Sequence, residues 1–202
     1  MSVSTARIWA GEGIGTAFLV AAVVGSGIMA ERLAGGNAAI ALLANSIATG
    51  AALITLILSF GPVSGAHLNR VVTLSEAIGR RVRWPVAASY VGAQLTGGIC
   101  AVFATHAMLG ERLLQFSSRA RSGPAQWLGE VIATFGLLWG IGVCSARRAE
   151  AVAYAVAAYI TAAYWFTSST SFANPALTVA RALTDSFPAS GLRMCPASFW
   201  PN

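Results

Sequence analysis

Two asparagines stand in short polar interruptions of an otherwise oily chain: Asn69 in SGAHLNRVVTL (64–74) and Asn174 in SFANPALTV (171–179). Aligned on the asparagines, the two regions match at several offsets, Ser64 with Ser169, Asn69 with Asn174 and Thr73 with Thr178. An asparagine ahead of a short helix caps it, because its side-chain oxygen accepts from the first N–H groups, which have no partner inside the helix. The amide N–H₂ stays free to donate to a passing oxygen, and the helix start adds a partial positive charge. Two such ends facing one another would orient a water or a hydroxyl and repel cations, protons included.

Other residue types that could do chemistry lack partners. Ser64, Ser168, Ser169 and Ser171 have no accompanying His–acid pair and suit loop residues that bond their own backbone. His67 and His106 have no cysteine or carboxylate at metal-ligand spacing, so no metal and no cofactor is expected. Gly97, Gly98, Gly136 and Gly140 suit close helix packing rather than a phosphate loop. An intramembrane enzyme is disfavoured for want of a catalytic pair. A coupled transporter is disfavoured because Arg70 titrates too high to cycle its charge.

The elements that hold these residues must live in hydrocarbon. The chain has 202 residues, 56% hydrophobic and 10% charged, with a mean hydropathy of +0.67. A soluble domain would be about a quarter charged. The net charge of +6 comes from arginine alone. These arginines lie between oily runs, which favours orientation and contact with lipid headgroups over nucleic acid. Cys100, Cys144 and Cys195 lack metal spacing, and the first two lie in apolar runs as small hydrophobes. No cleavable signal peptide is expected, since the first oily run is too long for a signal core.

A spanning helix needs roughly 20 apolar residues. Five runs qualify, near Ile8–Ala30, Ala38–Phe60, Trp84–Met108, Ala125–Val143 and Glu150–Thr167. Two further pieces, about Asn69–Ile78 and Asn174–Thr184, are too short to cross. Arg7, Arg70, Arg80, Arg81, Arg83, Arg147 and Arg148 then share one side, opposite Arg32, Arg112, Arg119 and Arg121, which favours a cytoplasmic amino terminus. EGIGTAFL (12–19) and EVIATFGL (130–137) share Glu, Ile, Thr and Leu at equal offsets, and three spans separate the two starts. An odd number turns the second copy upside down, an inverted repeat.

The stretches SGAHLN and ANPA, the glutamates Glu12 and Glu130, and YVGAQLTGG (90–98) resemble the aquaporin and aquaglyceroporin family over residues 8–187. The resemblance implies an all-α membrane protein, with tilted helices around a pore and two re-entrant half-helices meeting at the bilayer midplane. It further implies a first repeat over 1–109 with its half-helix at 69–79, and a second over 110–187 with its half-helix at 174–184. Family members form homotetramers in a lipid membrane, and the bacterial inner membrane is the expected location.

Site residues follow from the same resemblance. Asn69, Asn174, Pro175 and Ala176 would form the half-helix caps. The backbone of Gly65, Ala66 and His67 would line the pore, and a pH gate through the His67 ring is conceivable. Glu12 and Glu130 would accept bonds from loop backbone; the alternative is that they face headgroups. Thr49, Ala162, Ser171 and Leu177 would form the filter, without the aromatic, His and Arg groups of water-selective members, and Arg181 lies a turn beyond Leu177. A wide, neutral filter points to polyols and metalloid hydroxides as well as water. NPALTVARALTD resembles a bacterial branch linked to arsenic detoxification, with arsenite and methylated arsenicals as cargo.

Two departures stand out. Arg70 and Val71 replace the family's Pro-Ala, and the Arg70 side chain has three possible fates: to snorkel, to pair with a carboxylate such as Glu12, or to sit in the pore. Asp185, Arg193 and the prolines 188, 196 and 201 speak against a sixth span, leaving 188–202 as a non-spanning tail. The rival expectation is a non-conducting remnant.

Overall fold

The computed structural model describes residues 4–114, 124–168 and 174. The elements within them are helical: α1 (Thr5–Leu33), α2 (Ala38–Ser64), α3 (Arg70–Ile78), α4 (Trp84–Leu109), α5 (Pro124–Arg147), a 3₁₀ turn (Ala149–Ala151) and α6 (Val152–Phe166).

Local chemistry sets the ends. Asn37 caps α2 by accepting from the N–H groups of Ala39 and Ile40, and Gly65 ends it at φ 85°. That left-handed value favours a residue without Cβ. Pro85 occupies the first turn of α4, where a missing N–H costs nothing, and Gly110 closes α4 at φ 69°. Asn69 caps α3 through the Val71 N–H.

Helix α1 is the hub, packed on α2 and α4; α2 also meets α6, α6 meets α5, and the short α3 leans on α4. Leu19, Val20, Val23, Val24 and Ile28 of α1 bury against Leu53 and Leu56 of α2 and Ala101 and Val102 of α4. Gly97 of α4 lies directly on the Gly13 backbone of α1. At the far ends of these two helices Arg32 pairs with Glu111 at 2.8 Å. The outward faces carry large apolar groups, among them Phe18, Ile47, Trp84, Met108, Trp127, Phe135 and Trp139. So much exposed apolar surface is what lipid solvates.

Among the described residues four helices, α1, α2, α4 and α5, are long and apolar enough to cross a membrane. The fifth expected span is shorter than the sequence implies. It begins as a 3₁₀ turn beside Arg147, Arg148 and Glu150, and α6 itself has 15 residues. At 1.5 Å per residue α6 is about 22 Å long, against a hydrocarbon core of about 30 Å. Its far end unwinds at Thr167, which is already extended (φ −109°, ψ 140°). The expected half-helix at 174–184, the tail 188–202 and any sixth span lie outside the described residues, Asn174 excepted.

Candidate permeation site

The loop between α2 and α3 is the least regular part of the fold and the most constrained. Ala66 and Leu68 hold φ values of 46° and 48°, left-handed for residues that carry a Cβ. Each such residue costs on the order of 1–2 kcal/mol. The strain is held by a buried carboxylate. Glu12 of α1, fully buried, accepts from Ser64 Oγ at 2.7 Å and from the His67 N–H at 3.0 Å. It also accepts from the Leu68 N–H at 2.9 Å and from Gln94 Nε2 at 2.8 Å. The Ala66 N–H turns the same way, onto Ser64 Oγ.

Peptide planarity makes the consequence geometric. No cis bond occurs among the described residues, and in a trans peptide the carbonyl points opposite to the following N–H. With the N–H groups of residues 66, 67 and 68 aimed at Ser64 and Glu12, the carbonyls of Gly65, Ala66 and His67 point the other way. Those residues line a cavity of about 520 Å³, within the range of small-molecule sites.

Asn69 and Asn174 line the same cavity. Asn174 Nδ2 donates to the Leu68 carbonyl at 2.8 Å, next to the cap of α3. The rest of the wall is mostly apolar, with Leu19, Leu53, Ile57, Leu137, Val156 and Ile160 among its residues. Thr49 and Tyr164 add hydroxyls to the wall, and Glu76, Arg81 and Ser145 add further polar groups.

Two of the residues expected in the filter, Thr49 and Ala162, lie among the described residues. Thr49 is buried on the cavity wall, its hydroxyl 3.1 Å from that of Tyr164. Since Thr49 Oγ1 donates to the Asn45 carbonyl, the Tyr164 hydroxyl is the donor between them. Ala162 is exposed and is not among the residues named on the cavity wall. The face of α6 turned to the cavity carries Val152, Val156, Ile160 and Tyr164, spaced four apart, and Ala162 falls about half a turn away. That spacing is visible in the sequence and could have found Tyr164. Replacing Tyr164 by Phe removes the donor to Thr49; a fall of about 2–4 °C in melting temperature is expected, with helix content unchanged by circular dichroism.

Arg70 is the first residue of α3 and is half-buried. Val71 gives its N–H to Asn69 Oδ1 at 2.9 Å. Glu130 lies half-buried on α5. The loop it is expected to hold lies outside the described residues, as do Ser171, Pro175, Ala176, Leu177 and Arg181. No group of three or more His, Cys, Asp or Glu suited to a metal occurs among the described residues.

The family model described as major intrinsic protein matches residues 1–150. The chain belongs to the major intrinsic protein family. Members are transport channels rather than enzymes, and this chain is a multi-pass membrane protein of that kind. It is 50% identical over 182 residues to the aquaglyceroporin AqpS of Rhizobium meliloti (strain 1021), spanning 90% of this chain and 77% of that protein. It is 34% identical over 155 residues to the aquaporin NIP2-3 of Zea mays, covering 73% of this chain and 51% of the plant protein. The chain thus spans about half the length of that maize relative. The X-ray structure of the aquaglyceroporin from Plasmodium falciparum superposes with a TM-score of 0.72 at 20% identity, covering 88% of this chain and 79% of that one. That likeness establishes the shared fold.

Proposed function

We propose that the protein is a passive channel for small neutral solutes, with glycerol-like polyols and water as its general cargo. The observation that carries this reading is the meeting of Asn69 and Asn174 at one cavity, with Asn174 Nδ2 bonded to Leu68 O. Amide donors on one side and the backbone carbonyls of 65–67 on the other offer a hydroxylated molecule both kinds of hydrogen bond. The apolar remainder of the wall suits its carbon skeleton.

The finer assignments belong to the same proposal. The filter combines Thr49, Ala162, Ser171 and Leu177; without an arginine it passes solutes wider than water, metalloid hydroxides such as arsenite and methylated arsenicals among them. The repeats run over 1–109 and 110–187, the second half-helix over 174–184. Glu130 braces the second loop as Glu12 braces the first. The protein works as a homotetramer in the bacterial inner membrane, its amino terminus cytoplasmic.

Stopped-flow light scattering on proteoliposomes tests the reading. Glycerol and arsenite uptake above that of empty liposomes is the expected result. Water flow without either solute overturns the wide filter. No flux of any kind favours the non-conducting remnant.

A further inference from the structure

Helices α1 and α4 run side by side in the same direction. Trp9 Nε1 donates to Ser89 Oγ at 2.9 Å, Gly13 lies against Gly97, and Gly25 faces Thr105 and Leu109. Further on, Arg32 Nη2 reaches the Leu109 carbonyl at 2.7 Å. Contacts that climb together in both helices put their two starts at one end of the molecule. Arg7 stands just before Trp9, and Arg83 precedes α4 at its cap. Counted from the Trp9–Ser89 bond at 1.5 Å per residue, the two arginines differ by about 6 Å in level, on axes about 8–10 Å apart. Arg80 lies beside Arg83 in the same short connection, turning the chain at φ 58°.

This end carries unopposed positive charge. Arg7, Arg80 and Arg83 are exposed. Among the described residues the ion pairs are Arg32–Glu111 and Arg81–Glu76, and these three arginines belong to neither. Neither α1 nor α4 has an acidic residue in its first turn. Glu76 is spent on Arg81 through two hydrogen bonds, and Glu12 is buried against the loop after α2. Spacings of this size are comparable to the Debye length at physiological salt, so the charges act on an anion together.

Two exposed indoles, Trp9 and Trp84, stand at the same end. Ser89 Oγ spends its single hydrogen on the Val86 carbonyl at 2.7 Å. Its oxygen is therefore the acceptor for Trp9, which pins that indole across the seam between α1 and α4. Tryptophan favours the level where headgroups meet acyl chains. Ile14 and Phe18 follow on α1 as exposed apolar groups, and a Cβ added to Gly92 of α4 would meet nothing within 4 Å. Open apolar surface beside the charges suits acyl chains and does nothing for a phosphate in solution.

We propose that this end of the α1–α4 pair is a docking surface for an anionic phospholipid. Arg7, Arg80 and Arg83 attract its phosphate, and Trp9 and Trp84 take the ester level beneath. A headgroup of net negative charge is selected over a zwitterionic one, whose ammonium these arginines repel. Lipid held across the seam tightens α1 on α4, the contact that brings Gln94 to Glu12. The surface is independent of what crosses the pore, so it is tested without flux.

The full chain in neutral detergent is titrated with phosphatidylglycerol or phosphatidylcholine while its melting temperature is read. A saturable rise with phosphatidylglycerol, and a smaller one or none with phosphatidylcholine, is expected. Arg7→Gln and Arg83→Gln are each expected to raise the half-saturating phosphatidylglycerol concentration about 5-fold, and together about 20-fold. Arg7→Lys with Arg83→Lys keeps the charges and retains most of the affinity. Arg112→Gln removes an equal charge beyond the far end of α4 and is expected to change nothing. No rise with phosphatidylglycerol, an equal rise with phosphatidylcholine, or an equal loss in Arg112→Gln overturns the surface. An equal rise with inorganic phosphate alone overturns the lipid as its occupant.

Discussion

Replacing Glu12 by glutamine is expected to stop solute flux and to lower the melting temperature in detergent by roughly 5–15 °C. The size follows from what surrounds the side chain. All four of its partners donate: Ser64 Oγ, the N–H groups of His67 and Leu68, and Gln94 Nε2. A glutamine offers one oxygen and one NH₂ in their place, so at least one buried donor meets another donor. Each mismatch costs about 1–3 kcal/mol, and the left-handed backbone at Ala66 and Leu68 loses what holds it. The loop then relaxes and its carbonyls leave the cavity wall. Ser64→Ala removes a single donor and leaves the others in place, so its effect is expected to be smaller on both readouts. A Glu12→Gln protein with wild-type flux would show that the cage is dispensable.

Gly97→Val is expected to separate α1 from α4, with loss of both folded protein in thermal scans and solute flux. A Cβ at residue 97 would overlap the Gly13 carbonyl oxygen and lie 2.9 Å and 3.1 Å from the Gly13 C and Cα. These are backbone atoms, which cannot rotate aside as a side chain does, so the helices must part. Overpacking of this kind costs about 1–3 kcal/mol and more where nothing yields. Gln94 sits a turn away on the same helix, so separation also stretches its 2.8 Å bond to Glu12. The matched control is Gly92→Ala, whose Cβ meets nothing within 4 Å. It is expected to be neutral or to stabilise the helix by up to about 1 kcal/mol.

Much of this was legible in the chain, for reasons specific to each residue. Helices α1, α2, α4 and α5 show as long apolar runs with Asn37, Pro85 and Gly110 marking ends. Glu12 stood out because a carboxylate inside such a run is costly unless it is paired. Its partner Gln94 lies 82 residues away, and no local spacing reveals a bond of that reach. The phase of α6, read from Val152, Val156, Ile160 and Tyr164, gives the face turned to the cavity. The position of Arg70 could not be read at all. A first helical residue can send a long side chain in several directions, and only packing against the rest of the fold selects one.

The bond from Asn174 to the Leu68 carbonyl joins residues 106 apart. A ribosome adding about 5–20 residues per second needs roughly 5–20 s to make that stretch. During this interval the nascent first half has to keep an irregular polar segment inside a bilayer with its later clasp still unsynthesised. The carboxylate near the amino terminus is made before that segment and can grip it at once, so the insertion of the early half does not have to wait for the late one.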